Sequence, residues 1–210
     1  MLSFRFYLIT DRLHTRGQPE VLLPRLATAG LRAVQVREKD LAPAALFRMA
    51  TDWREAVRLQ APDAPLAFYL NDRADLALSL GFAGVHLRED SAPLAHASPL
   101  LRERLRFGVS CHSVEGVLAA ERAGAAFATF GPVFETASKS AYGAPVGLTA
   151  LAEAASCSNL PLLALGGVTP TRVKQCLEAG AWGVAAISAI WDAEDPVAAL
   201  GEFGSALGGL

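Results

Sequence analysis

Cysteine and charge are both scarce in this sequence, and each shortage excludes a class of protein. The 210 residues include three cysteines, Cys111, Cys157 and Cys176, and no two of them form a CxxC pair. An odd number of widely spaced cysteines argues against a disulfide framework and against a zinc site. Only 19% of the residues are charged and the net charge is −2, so there is no general electrostatic case for binding nucleic acid or an anionic membrane.

Long apolar runs are also missing. No stretch reaches the ~18 uninterrupted apolar residues that a membrane-spanning helix needs. The apolar N-terminal stretch (1–16) is short, contains Arg5 and lacks a small-residue cleavage site, which argues against a signal peptide. We therefore expect a cytoplasmic protein under reducing conditions, with neither nucleic acid nor a membrane as its partner.

Apolar residues as such are plentiful, at 52% of the chain, which predicts a substantial core. In four segments the end of a helix is followed by glycine, a short spacer and an apolar strand: 28–38, 79–89, 122–132 and 178–188. Glycine adopts the left-handed conformation past a helix C-terminus without steric cost. The apolar runs that follow do not alternate strictly, which is typical of strands buried on both faces of a parallel sheet.

This pattern predicts eight strands with helices between them. The strands cover residues 4–10, 33–38, 65–71, 84–87, 106–112, 127–134, 161–167 and 182–190. Eight βα units in 210 residues predict a compact (β/α)8 TIM barrel. A doubly wound sheet with the same alternation is the alternative. We expect one domain spanning residues 1–210.

Helices are predicted at residues 44–59, 114–123 and 169–179. Asp40 and Thr169–Pro170 have the residue types that start helices, a side-chain cap and a proline in the first turn. The last ten residues are rich in glycine, and we expect them to fray.

Polar residues gather where the predicted strands end. Each of them alone has a plain structural explanation, as a surface charge, a helix cap or a buried imidazole. In a parallel barrel, however, the carboxyl ends of all strands meet at one face, where such enzymes carry their active sites. The polar residues concerned are Gln35, Arg37, Lys39, Asn71, Asp72, His86, Ser110, His112, Glu135, Thr136, Ser138, Lys139 and Ser188, and Gly167 and Ile187 are further candidates through their backbone groups.

The chemistry that these residues favour is anion binding at two places. "ALGGVTP" (164–170) puts two glycines before a helix start, so that backbone N–H groups and the positive end of the helix dipole point outward. Ser188 and its neighbouring amides follow the last strand, and loops 7 and 8 often hold phosphate in such barrels. Opposite them, Arg37 and Lys39 form a second cationic locus, with Asp72 as a candidate divalent-metal ligand.

The stretch "GPVFETASKS" (131–140) follows the sixth predicted strand. Its small hydroxyl residues and Lys139 suit either a polar turn or an anion cradle. Its position at the end of a barrel strand, facing the glycines of loop 7, favours the cradle.

Eight motifs in order resemble the thiamine phosphate synthase/TenI superfamily: "YLITDR", "QVREKD", "NDRADLAL", "GVHL", "GVSCHS", "FGPVFET", "ALGGVTP" and "GVAAISAI". The resemblance implies a TIM barrel that binds the thiazole phosphate half of thiamine. Synthases join it to the pyrimidine diphosphate with Mg²⁺ and release pyrophosphate. The TenI branch includes tautomerases that aromatise a carboxylated thiazole phosphate by a proton shift, without metal.

The resemblance also implies roles for single residues. The loop residues Thr136, Ser138 and Lys139 match a synthase loop that contacts thiazole phosphate and pyrophosphate, while Gly167 and Ser188 match its backbone phosphate cradle. Asp72 matches one of two Mg²⁺ carboxylates. The pyrimidine and pyrophosphate side is matched by Gln35, Arg37, Lys39, Asn71 and Ser110.

Three departures bear on the reaction. Synthases read "GVHLGQED" after strand 4, and this chain has Ser91 where their second metal carboxylate stands. Ser140 replaces the second lysine of a synthase pair. Pro132 stands where one tautomerase has its acid/base histidine.

The first two departures count against a synthase, so we expect a TenI-type thiazole tautomerase that needs no cofactor, although Pro132 means that this chain cannot use that histidine. Its acid/base is expected to be His112 or, as a substitute, Glu135, because a proton shift needs a group that titrates near neutrality. Lys139 is a further catalytic candidate.

Two alternatives stay open. One is a thiamine phosphate synthase with Mg²⁺ on Asp72 and on Asp90 or Glu89. The other is a non-catalytic regulator that binds thiamine-related phosphates. The expected partners are a phosphorylated thiazole and, for a synthase, a pyrimidine diphosphate, and the resemblance is compatible with a homo-oligomer.

Overall fold

Eight short strands alternate with helices along the chain. The structure, a computed structural model, describes residues 2–89, 91, 94–136 and 144–210. The strands are β1 (Phe6–Ile9), β2 (Ala33–Val36), β3 (Ala67–Asn71), β4 (Gly84–Leu87), β5 (Arg106–Cys111), β6 (Phe127–Phe130), β7 (Leu162–Ala164) and β8 (Gly183–Ala186).

The helices lie between the strands and after the last one. Two 3-10 turns, Arg12–His14 and Leu94–His96, lie in the loops after β1 and β4. Within the described ranges, no helix is both long and apolar enough to cross a bilayer. The α-helices are α1 (Pro19–Thr28), α2 (Pro43–Gln60), α3 (Ala74–Ser79), α4 (Pro99–Arg104), α5 (Val114–Arg122), α6 (Gly147–Cys157), α7 (Pro170–Glu178), α8 (Ser188–Trp191) and α9 (Pro196–Leu207).

The strands pair in chain order and close into a barrel, with β8 parallel to β1. In the register, Ile9 on β1 lies opposite Gln35 on β2, and Gln35 lies opposite Tyr69 on β3. Closure confirms the (β/α)8 barrel and excludes the doubly wound sheet, which is open and reverses its strand order. Because all strands are parallel, their carboxyl ends share one face of the barrel.

The barrel interior is filled by large aromatic side chains. Tyr7, Tyr69, Phe127 and Phe4 are all buried and form one cluster inside the barrel. The ring centroids of Tyr7 and Phe127 lie 5.2 Å apart at an interplanar angle of 78°, an edge-to-face contact that aromatic pairs favour. A second, larger cluster packs the outward-facing strand residues against the helices.

Glycines on neighbouring strands make room for these rings. A Cβ on Gly84 would lie 2.1 Å from the carbonyl oxygen of Arg106 and 2.7 Å from Cε1 of Tyr69. A Cβ on Gly108 would lie 2.5 Å from Cζ of Phe127. No side chain fits at either position while the rings stay where they are.

Six of the strands end earlier than the sequence predicts, and two of them, β6 and β8, end four residues earlier. The sixth was predicted to reach residue 134, but β6 ends at Phe130, before Gly131 and Pro132. Proline has no N–H to continue the ladder. The eighth was predicted to span 182–190, but β8 ends at Ala186, and α8 begins at Ser188.

One helix-start signal is confirmed and one is wrong. Thr169 is the N-cap of α7 and Pro170 its first residue. Asp40 starts no helix, since α2 has Ala42 as its N-cap and Pro43 in its first turn. Asp40 instead forms an ion pair with Arg12 in the loop after β1.

The expected fraying of the last ten residues is also wrong for most of that segment. Residues 201–207 belong to α9, in which Phe203 and Leu207 are buried. The Arg5 guanidinium donates a 2.7 Å hydrogen bond to the carbonyl oxygen of Leu207 at the end of this helix. The apolar residues of the segment dock α9 on the barrel, which glycine content alone does not reveal.

A pair of glycine substitutions tests the packing of the barrel. Gly84→Ala should lower the free energy of unfolding by roughly 1–3 kcal/mol, because the added methyl group overlaps Arg106 and Tyr69. Gly201→Ala, on α9 with nothing within 4 Å of the added Cβ, should raise it by about 0.5–1 kcal/mol, because alanine is the better helix former. Urea unfolding followed by circular dichroism measures both. The same sign of change in the two variants would contradict the packing described.

Candidate functional site

The carboxyl ends of the strands carry a polar layer directly above the aromatic cluster. Side chains two residues apart on a strand face the same way, so Asn71 follows Tyr69 inward and Thr129 follows Phe127. Gln35, His86 and Ser110 extend this layer on β2, β4 and β5. The structure therefore brings the sequence-predicted residues Gln35, Asn71, His86 and Ser110 to one end of the barrel, together with Thr129, which was not predicted.

A chain of hydrogen bonds links β2 to the loop after β3. The side-chain amide of Gln35, which is buried, donates from Nε2 to Oδ1 of Asn71 over 3.1 Å. Asn71 in turn donates from Nδ2 to Oδ2 of Asp72 over 3.0 Å. The three side chains thus hold one another in fixed orientations.

Asp72 has an unusual backbone and a crowded carboxylate. Its φ of 58° lies in the left-handed region, which aspartate tolerates better than most residues. Oδ2 pairs with Nε of Arg88 over 3.0 Å, and Oδ1 accepts the backbone N–H of Arg88 over 3.2 Å. The hydroxyl of Ser91 also donates to Oδ1. The alignment that places Ser91 beside Asp72 therefore agrees with the geometry.

Glu89, an alternative second metal carboxylate, is directed elsewhere. Its Oε1 lies so close to Gly116, in the first turn of α5, that a Cβ there would come within 2.2 Å of it. Its charge also contributes to the raised pKa of the Cys111 thiol, about 12, for which burial is the main cause. The structure brings Ser91, and not Glu89, to Asp72.

His86 is buried at the base of the polar layer. Its Nε2 lies 3.1 Å from the hydroxyl of Ser110 and 3.4 Å from that of Thr129, and its Nδ1 lies 3.5 Å from the hydroxyl of Tyr7. Burial lowers its pKa to about 3, and the nearby Asp72 charge offsets this only in part. The imidazole is therefore neutral at physiological pH. Its two nitrogens hold neighbouring hydroxyl groups in place, which agrees with the explanation of His86 as a buried imidazole with hydrogen-bond partners.

The buried carboxylate of Glu38 holds the loop after β2 through hydrogen bonds to the loop after β1. Oε1 of Glu38 accepts a 2.6 Å hydrogen bond from the hydroxyl of Thr10, and that hydroxyl accepts the backbone N–H of Arg37 over 2.9 Å. Arg12 bridges Glu38 and Asp40, with a 3.4 Å contact to the first and a 2.6 Å contact to the second. Burial raises the pKa of Glu38, and the hydrogen bond from Thr10 opposes that shift.

The hydrogen bonds of Glu38 hold the loop that carries the two predicted cationic residues, Arg37 and Lys39. Arg37 is half-buried and Lys39 is exposed. Thr10, Arg12 and Glu38 were not predicted as functional residues, although all three lie inside the motifs "YLITDR" and "QVREKD". Their signal is the strand alternation, which turns Glu38 away from the face that Arg37 occupies.

On the opposite side, the loops after β6 and β7 run together. Val133 donates its N–H to the carbonyl oxygen of Leu165 over 2.8 Å, and Phe134 donates to that of Gly166 over 3.0 Å. Gly167 has a φ of +63°, and a Cβ there would lie 2.4 Å from the carbonyl oxygen of Glu135. Glycine at this position is required by both the backbone conformation and the close approach of the two loops.

Arg172 and loop 8 complete this side. The Arg172 guanidinium donates a 2.7 Å hydrogen bond to the carbonyl oxygen of Gly167 and lies 4.7 Å from the ring centroid of Phe134. Ile187 is half-buried, and Ser188 is exposed in the first turn of α8. The loops after β7 and β8 thus follow neighbouring strands, and the phosphate cradle at this place stays a prediction.

The two acid/base candidates lie at the edge of the same face. His112 is exposed, and its Nδ1 forms a hydrogen bond with the carbonyl oxygen of Gly131, next to Pro132. Glu135 is exposed and Thr136 is half-buried, both in the loop after β6. The predicted residues Ser138 and Lys139, together with Ser140 and Asp90, lie outside the described residues.

A cavity at the other end of the barrel does not share this chemistry. It measures about 580 Å³ and is lined by Leu2, Arg5, Ser158, Asn159 and Trp182, among others. It opens near the amino-terminal ends of β7 and β8. Nε of Arg5 there donates to the carbonyl oxygen of Trp182 over 3.0 Å, which is a structural contact. The polar layer at the carboxyl ends remains the candidate site.

Comparison with known proteins identifies the family. The model of the family described as thiamine monophosphate synthase matches residues 6–190. The chain belongs to this family of enzymes. The family resemblance of the sequence motifs is thereby confirmed.

Relatives in the thiamine monophosphate synthase family cover nearly the whole chain. A Geobacter sulfurreducens protein, provisionally named a thiamine-phosphate synthase, is 43% identical over 196 residues, covering 93% of this chain and 90% of its own. The thiamine-phosphate synthase of Methanoculleus marisnigri is 36% identical over 199 residues, covering 94% and 92%. A solved structure, thiamine phosphate pyrophosphorylase from Pyrococcus furiosus, has a TM-score of 0.81 at 28% identity, covering 97% of this chain and 95% of its own.

The names of these relatives favour the synthase activity over the tautomerase activity that was expected first from the sequence. The tautomerase expectation rested on the departures at Ser91 and Ser140, and Pro132 already counted against it, whereas the relatives are similar over nearly the whole chain. A few substituted positions weigh less than agreement over that length.

Membership of this family is consistent with the use of Mg²⁺. The residues around Asp72 show whether this chain has suitable ligands for that ion. Mg²⁺ requires near-octahedral oxygen coordination, usually from one or two carboxylates together with waters and substrate phosphates. In the described ranges, no three His, Cys, Asp or Glu side chains cluster so as to hold a metal. Both oxygens of Asp72 already accept hydrogen bonds, and one of them pairs with the Arg88 guanidinium. This donor set does not fit a preformed Mg²⁺ site.

The buried imidazole gives the fold a pH dependence with a defined sign. The folded-state pKa of His86 is about 3 and the ordinary value is 6.5, so between these pH values the unfolded chain binds a proton that the folded chain does not. The free energy of unfolding should therefore fall as pH is lowered through this window, by up to about 1 kcal/mol per pH unit.

Urea unfolding at several pH values, for the native chain and for His86→Gln, measures this contribution. The variant should lose stability less steeply on the acid side. His14→Gln serves as a control, because the hydrogen bond with Asp11 raises the pKa of this exposed histidine, a shift of the opposite sign. An unchanged acid-side slope in His86→Gln would show that the buried ring is not neutral in the folded state.

Proposed function

We propose that this chain is a thiamine phosphate synthase, which joins hydroxymethylpyrimidine diphosphate to thiazole phosphate and releases pyrophosphate. The observation that carries the proposal is the hydrogen-bonded set Gln35, Asn71 and Asp72 beside the anchored loop of Arg37. A tautomerase acts on one thiazole phosphate and has no evident need for this second polar subsite.

The pyrimidine half is assigned to the side of β2 and β3. The side-chain amides of Gln35 and Asn71 each offer both a donor and an acceptor, which is what the edge of an aminopyrimidine requires. Ser110 adds a hydroxyl group whose orientation is set by His86. The rigidity of these contacts favours one orientation of the ring over the others.

The diphosphate is assigned to Arg37 and Lys39. Arginine binds phosphate oxygens through a planar set of N–H groups, and lysine adds a point charge. Glu38 accepts from Thr10 and Arg12, so a buried and fully bonded carboxylate holds the loop that presents both cations. The loop therefore keeps its shape although it carries like charges.

The thiazole phosphate is assigned to the opposite side, at Thr136, Gly167, Ile187 and Ser188. Glycine at 167 lets the backbone approach a phosphate closely, and hydroxyl groups donate hydrogen bonds to it. Ser138 and Lys139 belong to the same proposed subsite by their position in the sequence. The two halves would then meet above His86, at the centre of the barrel mouth.

The chemistry needs stabilisation of negative charge more than it needs proton transfer. The bond from the pyrimidine's methylene carbon to the diphosphate oxygen breaks, and the thiazole ring nitrogen forms the new bond to that carbon. Both electrons of the broken bond leave with pyrophosphate, so negative charge develops beside Arg37 and Lys39. Fixed cations at this place stabilise the transition state.

Incubation with both half-molecules tests the proposal. The purified chain, supplied with hydroxymethylpyrimidine diphosphate, thiazole phosphate and Mg²⁺, should form thiamine phosphate and pyrophosphate in equal amounts, measured by chromatography and by a coupled pyrophosphate assay. A parallel sample receives carboxythiazole phosphate alone. Its aromatisation without formation of thiamine phosphate in the first sample would overturn the synthase in favour of the tautomerase.

An arginine substitution tests the diphosphate subsite. Arg37→Gln should lower kcat/KM for the pyrimidine diphosphate by roughly 10²-fold, because a charge-assisted contact to the leaving group is lost. Arg25→Gln, on the exposed face of α1, is the matched control and should leave kcat/KM unchanged. Equal activities of the two variants would remove Arg37 from the proposed subsite.

A further inference from the structure

Arg172 contacts both loops of the proposed thiazole-phosphate subsite. Its Nη1 donates a 2.7 Å hydrogen bond to the carbonyl oxygen of Gly167, in the loop after β7. Its Cζ lies 4.7 Å from the ring centroid of Phe134, in the loop after β6, which is within the range of a cation–π contact. One half-buried guanidinium therefore joins two loops that follow neighbouring strands.

Helix stability does not account for an arginine at this position. Arg172 is the third residue of α7, which begins at Pro170. A cation in the first turn of a helix lies at the positive end of the helix dipole, where positive charge is unfavourable. The acidic residue at the other end of α7, Glu178, pairs with Lys174 instead. The contacts with the two loops are therefore the interactions that favour arginine here.

The hydrogen bond from Arg172 fixes a peptide group in the predicted phosphate cradle. The peptide between Gly167 and Val168 is trans, so its carbonyl and its N–H point in opposite directions. With the carbonyl of Gly167 held by Arg172, the N–H of Val168 points away from the guanidinium. Gly166 and Gly167 have φ angles of +95° and +63°, and two successive glycines leave this loop many accessible conformations. A contact from outside the loop is needed to select one of them.

The ring of Phe134 extends the same restraint to the loop after β6. The backbone N–H of Phe134 donates a 3.0 Å hydrogen bond to the carbonyl oxygen of Gly166, and its ring lies against the Arg172 guanidinium. Thr136, which is assigned to the thiazole phosphate, follows two residues later. Arg172 therefore restrains the backbone on both sides of the proposed subsite.

We propose that Arg172 is a positioning residue for the thiazole phosphate, which holds the loops after β6 and β7 in the arrangement that receives the phosphate group. This inference rests on the proposed function, which assigns Thr136 and Gly167 to that subsite, and it adds a residue that acts through Gly167 and Phe134. Loops that are ordered before the ligand arrives lose less conformational entropy on binding. The side chain thus contributes to the affinity for one of the two half-molecules.

Calorimetric titrations with single half-molecules test the proposal without turnover. Arg172→Met keeps an apolar stem but removes the charge and the hydrogen-bond donors, so it should bind thiazole phosphate roughly 10-fold more weakly than the native chain does. Its affinity for hydroxymethylpyrimidine diphosphate should be unchanged, because that half-molecule is assigned to the side of β2 and β3.

Lys174→Met is the matched control, because it removes the same charge from an exposed position of the same helix. It should bind both half-molecules as the native chain does. Equal affinity of the two variants for thiazole phosphate would overturn the proposal. An equal loss of affinity for both half-molecules in Arg172→Met would also overturn it, because such a loss indicates general damage to the fold.

A second variant, which keeps Arg172, tests the contact with Phe134. Phe134→Leu retains apolar bulk but removes the ring beside the guanidinium, and it should weaken thiazole phosphate binding by about 3-fold. In the double variant the two effects should be less than additive, since both substitutions break the same contact. Fully additive effects would contradict the joint action of the two residues. Absence of thiazole phosphate binding by the native chain would refute the proposed subsite itself, whereas native binding that Arg172→Met leaves unchanged would refute only the role of Arg172.

Discussion

The parallel closure of the barrel is the constraint on which the rest of the molecule depends. Because β8 pairs with β1 in the same direction as every other pair, the carboxyl ends of all eight strands form one ring. Residues that are more than 150 positions apart in the sequence, such as Gln35 and Ser188, thereby lie at the same end of the barrel. The aromatic cluster around Tyr7 and Phe127 fills the interior and gives the polar layer a rigid floor.

Above that floor, buried polar groups are used for orientation. His86 remains neutral because burial lowers its pKa to about 3, and its ring nitrogens form hydrogen bonds with hydroxyl groups. Burial raises the pKa of Glu38, and hydrogen bonds from the hydroxyl of Thr10 and from the backbone of Arg12 oppose that shift. Both groups are costly to bury without partners, and both have them.

Much of the fold was predictable because its signals are local. The signals are glycine after α1, α3, α5 and α7, apolar runs without strict alternation, and proline at Pro170, and each reflects the conformations that single residues adopt. The predictions of a helix start at Asp40 and of a frayed C-terminal segment were wrong because these residues make tertiary contacts that local signals do not show. Asp40 has the residue type of a helix cap but pairs with Arg12, and the glycine-rich segment that ends the chain docks through Phe203 and Leu207.

The sequence by itself determined the barrel, the family and the set of polar residues at the strand ends. The reason is that the order of strands and motifs along the chain can be read without knowing which residues are in contact. Only the tertiary structure decided which of these residues touch. It paired Asp72 with Arg88 and Ser91 and directed Glu89 toward α5, although Arg88, Glu89 and Ser91 lie within three positions of one another. The reason is that contact at a barrel mouth depends on the curvature of each loop and on the left-handed φ of Asp72, and neither is encoded in spacing alone.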